Sequence, residues 1–225
     1  IPNVDGKLER FQMYEASNFD AELQAMYPEI RSYVGIGLDD KYAQLRLSLD
    51  PRGIQTMVFR VGKSNEFMEP YSQDGKVYAV YASKSDRKGK LPFTCSTDDQ
   101  ELISSIESKT NFNSRSSTTS LLNFRLAISC TGEYSNYFGA TSAAQSGLVL
   151  AAYNATMTRV NGVYEKDFAI HMNIVAQTTN VIYYNPATDP YSNANVGTAS
   201  SNSSTLQGWG LQLQNTLSTT IGNSA

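Results

Sequence analysis

Charge stops abruptly near the middle of this chain. Residues 1–112 carry 14 Lys and Arg and 17 Asp and Glu, whereas residues 113–225 carry four of each sign. Between the two halves runs Asn111-Phe-Asn-Ser-Arg-Ser-Ser-Thr-Thr-Ser120, which has almost no large apolar residue. A polar run of this kind reads as an exposed linker. Exposed linkers are also where proteases cut, and Arg115 stands inside this one. The chain is therefore expected to form two regions, 1–112 and 113–225.

Composition excludes several classes. With 40% hydrophobic and 17% charged residues, the chain can bury a core. A net charge of -3 and a pI near 5.2 give no electrostatic case for nucleic acid or an anionic membrane. No apolar run approaches the roughly 20 residues that span a bilayer. One histidine and two cysteines cannot build a three-histidine or four-thiolate zinc site. The chain opens on Ile1, which reads as a processed or trimmed end. Abundant Ser, Thr, Asn and Tyr with few Cys suggest secretion. The triplets Asn154-Ala-Thr156 and Asn202-Ser-Ser204 have the form of glycosylation acceptors but would mean little in a bacterial protein.

The first region predicts a short helix on an antiparallel meander. Leu45, Leu47 and Leu49 alternate with Gln44, Arg46 and Ser48. Asp50-Pro-Arg-Gly53 turns the chain into Ile54–Val61. Asp74-Gly75 marks a hairpin between Glu66–Tyr71 and Lys76–Ala82, and Pro70 suggests a sheet edge. Asn18 reads as an N-cap ahead of Phe19, Leu23, Met26 and Tyr27, a stripe that ends at Pro28. A second short helix is expected around Asp99–Lys109.

The second region predicts strand, helix, strand, strand, helix. Leu122, Phe124, Leu126 and Ile128 alternate, as do Phe168, Ile170, Met172 and Ile174. Leu150, Tyr153, Met157, Val160 and Tyr164 recur at helical spacing, with Asn161-Gly162 expected to weaken the last turn. Asn180–Tyr184 reads as a third strand and Leu206–Ile221 as a helix, with Leu206, Trp209, Leu213 and Leu217 roughly on one face. That order suggests an α/β layer, and the chain as a whole reads as α+β.

Few residues suggest chemistry. His171, the sole histidine, has no nucleophile pattern near it in sequence. Glu165 and Asp167 would suit an acid/base pair or calcium, or merely bond to backbone. Cys95 and Cys130 admit several states: a disulfide across the two regions, buried free thiols, pairing outside the chain, or ligation of a metal held by another domain.

Two stretches are more specific. Leu122-Asn-Phe-Arg-Leu-Ala-Ile-Ser-Cys-Thr-Gly-Glu-Tyr134 and Asn154-Ala-Thr-Met-Thr-Arg-Val-Asn-Gly-Val-Tyr-Glu-Lys-Asp-Phe168 resemble the opening of the catalytic domain in secreted bacterial reprolysin-like zinc metallopeptidases, a metzincin group. Glu22–Gly37 and Leu45–Gly53 look like parts of the propeptide of the same precursors. The resemblance implies an antiparallel-sheet prodomain followed by the N-terminal α/β part of a metzincin-like domain. It also implies zinc, a peptide or protein substrate, and a C-terminal half of the catalytic domain as partner. The zinc motif H-E-x-x-H-x-x-G-x-x-H is absent, so no catalytic residue carries over. In related zymogens a prodomain thiolate occupies the open zinc position. Cys95 is the candidate for that ligand, since Cys130 falls in the protease-like part, although its surroundings reproduce no specific switch motif. Two rival readings are an inhibitor or assembly partner without its own metal, and a surface module binding carbohydrate or protein.

Overall fold

The structure is a computed structural model of the chain, in which residues 1–72, 74–83, 120–192 and 208–222 are described. The expected linker, the helix around Asp99–Lys109 and Cys95 lie outside the described residues, apart from Ser120. The fold is α+β.

Six strands form one antiparallel meander in sequence order: β1 (Phe11–Glu15), β2 (Arg31–Gly37), β3 (Gln44–Asp50), β4 (Gly53–Phe59), β5 (Glu66–Pro70) and β6 (Tyr78–Ala82). The hairpin at Asp74-Gly75 pairs Pro70 with Tyr78. Pro70 does not mark a sheet edge, because β5 lies between β4 and β6. The β4–β5 ladder ends at Met68, so the missing N–H of Pro70 breaks no ladder bond there. β1 and β2 had no clear alternating signal. β2 carries Gly35 and Gly37, and a Cβ at Gly35 would lie 2.8 Å from Met13 Sδ and 3.0 Å from Leu45 Cβ. The bare backbone there lets Met13 cross the strand onto Leu45.

The short helix α1 (Ala21–Met26) is capped by Asp20, not by Asn18 as expected. The Asp20 carboxylate accepts the Leu23 N–H at 2.7 Å. Asn18 is drawn instead into a buried network with the second region.

That second region contains β7 (Leu122–Leu126), α2 (Gly132–Tyr137), the long α3 (Ser146–Phe168), β8 (Ile170–Ile174) and α4 (Trp209–Thr220). β7 and β8 pair in parallel, as strands joined through intervening helices do. Asn161-Gly162 does not weaken α3, which runs on to Phe168 and is closed by Ala169 in the left-handed region (φ 54°). A glycine inside a helix costs about 1 kcal/mol relative to alanine. Here a Cβ would sit 2.9 Å from Arg46 Cγ and 3.1 Å from Phe59 Cε2, so Gly162 lets the helix close on the sheet. The strand expected at Asn180–Tyr184 is a 3₁₀ turn over Ala176–Val181 with one parallel bridge, Cys130 to Ile182. Thr179 Oγ1 donates to Ala176 O at 2.8 Å, a local bond that competes with a ladder. α4 leaves Trp209, Leu211 and Leu213 substantially exposed.

α3 lies between two sheets. One side packs on β2, β3 and β4, and another packs on β8. The first core therefore mixes the regions: Phe19, Leu23 and Ile30 join Val149, Leu150, Met157 and Ile174. A second core lies on the sheet face away from α3 and includes Leu45, Leu47, Val58 and Met13. Arg46, Ser48 and Asp50 of β3 are buried too, because α3 covers their face, whereas Gln44 at the strand's start is exposed. Leu45 is fully buried between Gly35 and Val58. Leu45→Ala is expected to lower stability by about 2–5 kcal/mol, read as a fall in the urea midpoint.

Candidate functional site

The seam between the sheet and α3 holds two clusters of buried polar groups. The first is a set of amides. Asn18 Nδ2 donates to Asn154 Oδ1 at 2.9 Å and to Thr158 Oγ1 at 2.8 Å. Asn161 Nδ2 donates to Asn18 Oδ1 at 3.0 Å and to Met172 O at 2.9 Å, and Asn161 Oδ1 accepts the Met172 N–H. Asn154 Nδ2 donates to Arg31 O at 3.0 Å. The three asparagines are 2–3% exposed, so these bonds replace water almost completely. Asn154 heads one of the two glycosylation-type triplets, and its burial makes it inaccessible to a glycan in this fold. The other, at Asn202, lies outside the described residues.

The second cluster centres on Glu165. Its Oε2 accepts from Arg46 at 2.5 Å, and its Oε1 lies 2.7 Å from His171 Nδ1. His171 Nε2 lies 3.3 Å from Ser17 O and 3.2 Å from Asn173 Oδ1. Burial pushes the Glu165 carboxyl up, but the hydrogen bonds from His171 and Arg46 outweigh it and hold the group below the ordinary value of 4.5. A carboxylate held as an anion by two partners is a poor general base. Among the described residues no hydroxyl or thiol is bonded to His171, so the site offers no activated nucleophile. Glu165 and Asp167 do not form the pair the sequence suggested. Both lie on α3, where residues two apart do not face each other, and Asp167 is exposed. The calcium expectation has no geometry here.

Cys130 is a buried free thiol. Its Sγ lies 3.3 Å from Ser135 Oγ, which donates to Tyr183 O at 2.5 Å. Burial pushes the nearby phenols of Tyr134 and Tyr153 up, with the Cys130 charge adding to it, so both stay neutral at ordinary pH. Cys95, the candidate zinc ligand, lies outside the described residues. Along the same seam a groove of about 530 Å³ opens between Arg52, Gln55, Glu69, Phe138 and Arg159. Arg159 spans it, donating to Glu69 at 3.1 Å and Gln55 at 3.3 Å.

With this geometry in hand, the comparisons with known proteins become specific. The family described as metallo-peptidase family M12B, reprolysin-like, matches residues 120–222. The match begins two residues before β7 and ends two residues beyond α4, and it leaves the six-stranded sheet outside. No curated protein and no solved structure matches the chain significantly. The match supports a protease-related function for that part of the chain. Peptidases of this family depend on zinc. Among the described residues no group of three or more His, Cys, Asp or Glu is placed to hold a metal. The described residues therefore do not fit a zinc centre, and no catalytic step is derived through one. No described helix is long and apolar enough to cross a membrane.

The sequence singled out His171 and Glu165 but missed Arg46, which read only as part of the strand face opposite Leu45, Leu47 and Leu49. The spacing of Asn154, Thr158, Asn161 and Glu165 along one helical face was the signal available. Because the Glu165 pKa is depressed in the folded state, its ion pairs contribute stability that is full above its unfolded value near 4.5. That contribution is lost as pH falls through the lower folded-state value. Glu165→Gln is expected to cost roughly 1–3 kcal/mol at pH 7 and to flatten the loss of stability below pH 4.5, measured by urea unfolding across pH.

Proposed function

We propose that this chain is a segment of a secreted zinc metallopeptidase zymogen. Residues 1–112 act as a prodomain that inhibits the peptidase and assists its folding. Residues 113–225 form the N-terminal part of the catalytic domain, and the zinc motif and the rest of that domain lie beyond Ala225. The observation that carries the reading is the match of the reprolysin-like family to residues 120–222 and to no part of the sheet that packs on them. β7 adds support. Parallel strands are ordinarily covered on both faces, yet Leu121, Leu122 and Phe124 are 45–50% exposed. A C-terminal half of the catalytic domain would cover them.

In this reading Cys95 supplies the thiolate that keeps the zymogen latent, and cleavage within 111–120 releases the prodomain. The full-length gene product is expected to hydrolyse a fluorogenic peptide after maturation, to lose that activity to a chelator and to regain it with zinc. Residues 1–225 alone are expected to hydrolyse nothing. Absence of metal-dependent hydrolysis, together with tight binding to a protease, would instead support the inhibitor reading. Cys95→Ser in the full-length proenzyme is expected to abolish latency, seen as peptide hydrolysis without cleavage. Unchanged latency would remove Cys95 from the role.

A further inference from the structure

We infer that a cleft of about 380 Å³ just beyond β7 binds a small uncharged aromatic compound that carries a hydrogen-bond acceptor. The inference goes beyond the peptidase reading and does not rest on it. The cleft is lined by residues between Ile128 and Trp209, so the six-stranded sheet takes no part in it.

Three elements and the end of a strand build this cleft. β7 runs on to Cys130, which α2 follows with Tyr134. Tyr153 and Thr156 come from α3, and Trp209 opens α4. The rings of Tyr134 and Tyr153 lie 5.9 Å apart, and the Trp209 indole N–H donates to Ser192 O at 2.7 Å, which holds that ring in place. Cys130 and Tyr153 are buried, whereas Tyr134, Thr156 and Trp209 reach solvent, so the cleft runs inward from the last three to the first two. No charged residue lines it. An ion would give up its water there and meet no opposite charge. Aromatic walls favour a flat ring, and the volume suits a small molecule.

A buried donor without a partner sets the second requirement. Tyr153 is 4% exposed, and its hydroxyl, beside the Cys130 sulfur, makes no hydrogen bond of ordinary geometry. A buried hydroxyl left unmet is costly. The neighbouring groups are committed elsewhere. Ser129 Oγ donates to Val181 O at 2.7 Å and accepts from Tyr191 at 2.6 Å. Ser135 Oγ spends its proton on Tyr183 O, so the Cys130 thiol donates to Ser135. Sulfur is itself a weak acceptor, so a ligand oxygen that reaches between Cys130 and Tyr153 is the better partner for the phenol. Burial pushes that phenol up, which keeps it a protonated donor.

The test uses the purified 225-residue chain and three probes. These are acetophenone, ethylbenzene, which has a similar shape without the oxygen, and benzoate, which adds a charge. Trp209 is the only tryptophan of the chain, so quenching of its emission reports on the cleft. Acetophenone is expected to quench it saturably, with a dissociation constant on the order of 1 mM. Saturation-transfer NMR titrations are expected to place ethylbenzene and benzoate at least about fivefold weaker. Tyr153→Phe removes one oxygen. It is expected to weaken acetophenone at least about fivefold and to leave ethylbenzene unchanged. Thr156→Phe, at the mouth, is expected to weaken acetophenone and ethylbenzene alike, and circular dichroism shows whether each variant is folded. If Thr156→Phe fails to fold, Tyr153→Phe still decides. Absence of saturable quenching up to roughly 10 mM overturns the inference. So does equal binding of the three probes, or an acetophenone affinity that Tyr153→Phe does not change. None of these readouts uses zinc or hydrolysis, so the cleft can fail while the peptidase reading stands, and the reverse.

Discussion

The side-chain amide of Asn161 is bonded on both sides at once, and the layering of the molecule depends on it. Its Nδ2 reaches Asn18 of the first region and the Met172 carbonyl of β8, while its Oδ1 takes the Met172 N–H. One buried side chain thus fixes α3 against β8 and against the segment that leads into α1. Each such bond contributes only about 0.5–1.5 kcal/mol net, but leaving a buried partner unmet costs about 1–3 kcal/mol. The network is therefore worth more as a constraint than as a sum. It permits one register of α3 between its neighbours, because a shift of one residue would strand several amides together. Gly162 follows immediately, and its missing side chain lets the helix approach close enough for those bonds to form.

Local patterns carried much of this fold. Leu45, Leu47 and Leu49 alternate because one face of β3 meets an apolar core, and Asp74-Gly75 closes a hairpin whose turn geometry needs those residues. Leu150, Tyr153 and Met157 mark a helix because that side of α3 is buried in apolar surroundings. What was illegible depends on contacts far apart in the chain. Asn18 looked like a cap because nothing local reveals partners 136 and 143 residues away. Arg46 and Ser48 were legible only as the face opposite the leucines, because their cover arrives only with α3. Asn161-Gly162 looked like a weak point in the helix's last turn for the same reason: both residues are poor helix formers locally, and tertiary bonding overrides that preference.

The Arg46–Glu165–His171 cluster shows how a chemically suggestive set can be structural. A histidine beside a carboxylate is the orienting half of many catalytic arrangements. Here the carboxylate is shared with an arginine from the other layer, and the far ring nitrogen faces a carbonyl and an amide oxygen rather than a hydroxyl or thiol. The charge is spent on holding two layers together. Geometry decides this, since the same residue types would fit either role in the sequence.

The two layers also differ in what they need from each other. The sheet has a core of its own around Leu45, Leu47 and Val58, on the face turned away from α3. α3 and β8 keep most of the other core, with Phe19, Leu23 and Ile30 inserted into it. So the contact between the layers is an apolar plug flanked by hydrogen-bonded polar groups, and neither layer is defined by it alone. The family match, residues 120–222, covers the layer that carries α3 and β8 and none of the six-stranded sheet. The sharp fall in charge beyond residue 112 has the same origin in part. α3 is covered on one side by β2, β3 and β4 and on another by β8, which leaves little surface for ions, whereas the meander buries ions only where they pair, as Arg60 does with Glu9 and Glu66.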